Sequence, residues 1–183
     1  VHLYEEKGDN AATPLNGMFA FALFDRRNRS VLIARDRIGI KPLFYAETSE
    51  ALVFGSEIKA VLAHPAVSRD IDPVAIDQYL ASKYIPSPRT AFKAVRKLPP
   101  GHLLIWKSGR MTIRPYWSLS FDDKRSEPDA VLQAELRERL DAAVGMDVQL
   151  AGRRVGLSTP RMESDAKPLD NRTSSTALAM WMP

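Results

Sequence analysis

Four short apolar runs follow one another between Met18 and Gly55: MFAFALFD, SVLIARD, LFYAE and ALVFG. They lie too close together for helices to intervene. Strands joined by such short turns must run antiparallel, because a parallel pair needs a crossover of about a dozen residues or more. The first run is continuously apolar and rich in Phe, so it reads as a buried strand, Met18 to Asp25. DRRNRS turns the chain and SVLIARD returns as its hairpin partner. Pro42 opens the third strand, and TSE turns into the fourth, Ala51 to Gly55.

Around this block the period changes. His2 to Lys7 reads as the end of a helix stopped by Gly8. SEIKAVLAHP places Ile58, Val61 and Leu62 at helical spacing, with Ser56 as the expected cap and Pro65 as the stop. IDPVAIDQYLASKYI places Asp72 as cap and Pro73 at the first helical position, with Ile76, Tyr79 and Leu80 as an apolar stripe. HLLIWKSGRMTIRPYW alternates around Ser108-Gly109 and predicts a second hairpin. In SFDDKRSEPD, Ser126 and Asp129 have capping-box spacing. The following helix puts Leu132, Leu136, Leu140 and Val144 on one face. After Gly145 no period is sustained, and disorder is expected of that polar stretch. The expected class is α+β with antiparallel sheets.

The chain has 183 residues, 45% hydrophobic and 26% charged, with no Cys. Disulfides, cysteine metal sites and thiol nucleophiles are therefore excluded within it. Net charge is +4 and the pI is about 9.4. The basic residues are spread along the chain, densest from Arg26 to Arg37, where a solvated hairpin accounts for them. A nucleic-acid partner would call for a clustered stripe with interleaved aromatics, so none is expected. No apolar run approaches the roughly 20 residues of a membrane span, and no membrane partner is expected.

Sites of chemistry are hard to find by spacing. His2, His64 and His102 share no metal motif and read as surface or helix-end residues. Asp122-Asp123 reads as a solvated linker, and Ser56-Glu57 shows no nucleophile pairing. No Walker loop or dinucleotide-binding glycine pattern occurs. The best polar candidate is the turn ARDRIGIKP, with Arg35, Asp36 and Gly39. A partly buried structural ion pair is its default reading, and a ligand contact is the alternative.

In this same region the sequence becomes specific. LNGMFAFALFD, ARDRIGIKPLFY, FGSEIKA, KLPPGH and PYW occur in that order, with a YIPSP segment between the third and fourth. The chain resembles, from Val1 to about Val148, the glutamine-hydrolysing asparagine synthetases, which carry a class II glutamine amidotransferase domain.

The resemblance implies a partial N-terminal-nucleophile (Ntn) hydrolase fold, a four-layer αββα sandwich with antiparallel sheets. It implies residues 1–121 as the C-terminal part of the amidotransferase domain. Residues 122–148 would be linker and first synthetase helix, and 149–183 a divergent, disordered tail. It implies a cytoplasmic enzyme in which an N-terminal Cys, with its own amine as base, releases ammonia from glutamine. Ammonia would pass through a channel to aspartate, activated by ATP with Mg²⁺ as β-aspartyl-AMP. Glutamine, aspartate and ATP are thus the expected ligands of the complete enzyme, and a missing synthetase domain or a second copy the expected protein partner.

Neither reaction centre is expected in this chain: no catalytic residue, metal or cofactor is assigned to it. The nucleophile would lie before Val1. Asp147-Val148 is followed by Gln149-Leu150-Ala151-Gly152 rather than the Ser-Gly-Gly-x-Asp-Ser loop of the family. The expectation is an incomplete chain, inactive alone. What carries over is a lining of the ammonia channel at Met18, Ile40 and Lys41, core packing being the alternative for the first two; the charge of Lys41 suits an apolar channel least. Two other readings stay open. One is a degenerate amidotransferase domain of a β-lactam- or peptide-macrolactam-forming synthetase. The other is a non-catalytic interaction module.

Overall fold

A computed structural model describes residues 1–122, 124–152 and 178–181 of the chain. They fall into two compact units, one of residues 1–119 with 173–183 and one of residues 120–172.

The first unit begins with helix α1 (His2–Lys7), which Gly8 ends at φ 54°, a conformation that glycine adopts without steric cost. The four apolar runs become β1 (Ala20–Asp25), β2 (Ser30–Arg35), β3 (Phe44–Glu47) and β4 (Leu52–Gly55), all antiparallel to their neighbours. They do not share one sheet. The turn at residues 36–43 carries the chain from β2 to a second sheet. There β3 pairs with β4 on one side and with the short β5 (Arg96–Lys97) on the other. The expected hairpin forms as β6 (His102–Lys107) and β7 (Arg110–Pro115), with Ser108 and Gly109 at φ 51° and 73° in its two-residue turn. The first sheet has the order β7-β6-β2-β1-β8, the last strand being Leu178–Trp181.

Alternation explains the core. Successive strand residues point to opposite faces. Ala20, Ala22, Ile33 and Leu104 enter one cluster, which they share with Leu43, Tyr45 and Leu98 from the second sheet and its approach. Leu23, Leu32, Ala34 and Leu103 enter another on the opposite face, packed with Ala12, Tyr4 and Leu15 from the N-terminal segment. Ala46 and Val95 turn the other way from the second sheet and meet Val61 and Val67. The protein is thus α+β, with two antiparallel sheets and apolar packing on both faces of each.

Several local expectations are corrected. Helix α2 (Ile58–Leu62) is capped at Glu57, not Ser56, and ends before Pro65. Helix α3 (Pro73–Ser82) has the predicted cap, with Asp72 Oδ1 accepting from the amides of Val74 and Ala75. Its stripe is not buried: Ala75 is the buried residue, while Ile76, Tyr79 and Leu80 are exposed. Periodicity identifies residues on one face; it does not say whether anything lies against that face.

In the second unit, helix α4 runs from Asp129 to Gly152, through Gly145. Its first amides bond to the Pro128 carbonyl, so the cap falls two residues after Ser126. Leu136, Leu140 and Val144 are exposed. Of the stretch expected to be disordered, Gln149–Gly152 continue this helix and Leu178–Trp181 form β8; residues 153–177 and 182–183 lie outside the described residues. No helix among the described residues is long and apolar enough to cross a membrane.

Candidate functional site

The turn at 36–41 is built by the two residues at the end of β2. Adjacent strand residues face opposite ways, and Arg35 and Asp36 do so here. They form no ion pair with each other, contrary to the default expectation. Arg35 donates from Nε to the Lys41 carbonyl (2.8 Å), from Nη2 to the Gly39 carbonyl (2.7 Å) and from Nη1 to the Leu98 carbonyl (2.6 Å). Asp36, 1% exposed, accepts from the amides of Gly39 (2.7 Å) and Ile40 (3.0 Å) at Oδ1 and from Lys41 (3.0 Å) at Oδ2. One side chain holds the carbonyls of the turn and its neighbour holds the amides.

This arrangement solves an electrostatic problem. A buried carboxylate needs hydrogen bonds to replace its water, and three oriented amides supply them. The guanidinium presents its N–H groups as a planar fork, which matches three carbonyls arriving from different directions. Burial lowers the Arg35 pKa, an effect that the nearby Asp36 charge opposes.

Two later segments complete the turn. In KLPPGH, Leu98 contributes its carbonyl and Gly101 donates its amide to the Asp36 carbonyl at 2.9 Å. Gly39 lies so close to Pro100 that a Cβ there would stand 2.8 Å from its Cγ. In PYW, the Tyr116 hydroxyl donates to the Arg35 carbonyl at 2.8 Å. The Arg37 guanidinium lies 5.9 Å from the Trp117 ring centroid and donates to the Thr13 carbonyl. Burial, and secondarily the Asp36 charge, push the Tyr116 phenol up to about 12. Lys97 is pushed down by burial and by the Arg35 charge, and its ammonium donates to the Ile85 carbonyl.

The clamped turn presents its apolar side chains outward. Ile38 and Ile40 are 75% and 56% exposed, and neither joins the core. The Asp36 amide bonds to the Phe19 carbonyl at 2.8 Å, which sets the start of β1 against the turn. Met18, one residue before, is 55% exposed. Of the three expected channel residues, Met18 and Ile40 are therefore surface residues, and core packing does not account for them. Lys41 is half-buried and its backbone is gripped from both sides.

No spacing in the sequence assigns Leu98, Pro100, Gly101 or Tyr116 to the turn. KLPPGH and PYW signalled them as motifs, but their contacts with Arg35 and Asp36 span more than sixty residues, as the Arg35–Leu98 bond shows. The histidines remain peripheral: the His2 Nδ1 lies near Glu5, His64 near its own turn, and His102 near the Pro100 carbonyl. Asp122 accepts from the Ser120 hydroxyl; Asp123 lies outside the described residues. Among the described residues no three His, Asp or Glu side chains converge to hold a metal ion.

The sequence model of a family described as a glutamine amidotransferase domain matches residues 1–117. The chain is 32% identical over 160 residues to asparagine synthetase (glutamine-hydrolyzing) 3 of Bacillus subtilis, covering 83% of this chain and 26% of that protein. It is 35% identical over 148 residues to asparagine synthetase (glutamine-hydrolyzing) 2 of the same organism, covering 76% and 19%. It is also 35% identical over 164 residues to Amidase chyE of Penicillium rubens, covering 83% and 24%. The chain spans about a quarter or less of the length of these relatives.

Proposed function

Because the chain belongs to the glutamine amidotransferase domain family, we propose that it forms the rear part of the glutaminase half of an ATP-dependent asparagine synthetase. In this reading a Cys outside these residues attacks the glutamine amide and releases ammonia. Ammonia reaches an aspartate activated as β-aspartyl-AMP on a second domain. The four-layer Ntn sandwich is the fold that would hold this chemistry, and the apolar packing on both faces of both sheets supports it.

The observation that carries the reading is the exposed pair Met18 and Ile40 on a turn that Arg35 and Asp36 hold by its backbone. Ammonia must travel unprotonated to remain a nucleophile, since ammonium has no lone pair. An apolar wall offers it neither a proton nor a strong hydrogen-bond acceptor, and a rigid backbone keeps the passage at one width. These residues line and orient; they do not react. In this reading ATP and Mg²⁺ belong to the second domain; the 183 residues carry no Ser-Gly-Gly to bring backbone amides to a phosphate.

The test uses the longer polypeptide that this reading requires. Ile40→Asp is expected to leave glutamate release and ammonia-fed synthesis near their original rates while cutting glutamine-fed synthesis at least about tenfold. Unchanged glutamine-fed synthesis overturns the channel role. The similarity to Amidase chyE favours a second reading, an amide-forming enzyme with a different acceptor. Asparagine formation from aspartate, ATP and ammonia decides for the first reading; its absence, with ATP consumed on another carboxylic acid, decides for the second.

A further inference from the structure

We propose that the outer edge of β1 is a strand-acceptor site for an extended apolar segment, filled in this chain by its own Leu178–Trp181. The register is antiparallel, Phe21 opposite Trp181 and Phe24 opposite Leu178.

β1 has the character of an interior strand. Ala20 and Ala22 feed one core cluster and Phe21 and Leu23 the other, so both of its faces are packed. Its sequence AFALF carries no proline and no charge before Asp25. The opposite edge of the sheet is built differently. β7 is RMTIRP, with exposed Arg110, half-buried Arg114 and a terminal Pro115. Charges and proline are how a protein protects a strand edge that is meant to stay free. Before Asp25, β1 has neither, and bare peptide groups in such an apolar surround carry a high cost. Its outer edge is therefore made to be paired.

The occupant comes from far along the chain and pairs over only four residues. A ladder that short opens more readily than the six-residue pairing of β1 with β2. The site thus belongs to β1, and the segment is exchangeable. Main-chain hydrogen bonds supply the attraction, as in other cases of strand addition.

Hydrogen exchange on the full chain tests this. Met180→Pro removes the β8 amide that faces Ala22 of β1 and breaks the ladder. Exchange at the Ala22 and Phe24 amides, which face β8 while those of Phe21 and Leu23 face β2, is expected to accelerate at least about tenfold, with Leu32–Ala34 in β2 staying protected. Adding a synthetic TALAMWMP peptide is expected to restore protection to Ala22 and Phe24, while the same peptide with proline at the Met180 position is not. Unchanged exchange in β1, or equal protection by both peptides, overturns the proposal. So does loss of protection in β2, which would make β8 an integral part of the fold. Protection of β1 in the original chain that rises with protein concentration overturns occupancy by its own segment.

Discussion

Arg35 and Asp36 are adjacent in sequence yet form no ion pair: the guanidinium binds the carbonyls of Gly39, Lys41 and Leu98, while the carboxylate binds the amides of Gly39, Ile40 and Lys41. The turn between the two sheets is thereby held at both poles of its peptide groups.

Asp36→Asn keeps the shape but replaces one acceptor oxygen with a donor that faces an amide. It is expected to destabilise the chain by about 2–4 kcal/mol, because a buried group is left opposing a donor. Arg35→Lys leaves a single ammonium for three carbonyls and should cost about 2 kcal/mol. Urea denaturation of both variants measures these values; changes within about 0.5 kcal/mol would show that the turn does not depend on them.

The glycines rank by surroundings rather than by angle. Gly39, Gly101 and Gly109 have φ of 73°, 66° and 73°. A Cβ on Gly101 would stand 2.6 Å from the Trp117 backbone oxygen, one on Gly39 2.8 Å from a proline ring carbon, and one on Gly109 would meet nothing within 4 Å. Gly109→Ala should cost about 1 kcal/mol, the positive-φ strain alone. Gly39→Ala and Gly101→Ala should each cost more, Gly101→Ala most because backbone must move. Thermal denaturation of the three variants gives the order.

Tyr116 predicts an alkaline signature. Its folded pKa of about 12 lies above the ordinary value of about 10. The neutral phenol is the form the fold prefers, so its stabilisation is complete below about pH 10 and is lost as pH rises toward about 12. Burial raises Tyr4 and Tyr45 in the same direction. The comparison with Tyr116→Phe isolates this one group: the variant should be weaker by about 1 kcal/mol at neutral pH and should lose less between pH of about 9.5 and 11.5. Parallel curves in urea would remove Tyr116 from that account.

Leu104 and Leu80 separate core from surface. Leu104 is fully buried and Leu80 is 75% exposed. Leu104→Ala should cost about 2–5 kcal/mol, and Leu80→Ala should stay within about 0.5 kcal/mol. Equal losses would place α3 against the core, where its periodicity alone would put it.

The antiparallel strands, the Ser108-Gly109 hairpin and the Asp72-Pro73 helix start were legible from residues because each depends on near neighbours. Alternation fixes the faces of a strand, and short connections forbid parallel pairing. Cap and turn preferences act over two to four residues. The order of motifs likewise identified the family. Tertiary structure decided what lay beyond that range. It divided the four early strands between two sheets, left the α3 stripe uncovered, and brought Leu98, Gly101 and Tyr116 onto Arg35 and Asp36. A side chain's type states what bonds it can make, but only the folded backbone determines which distant groups arrive to make them.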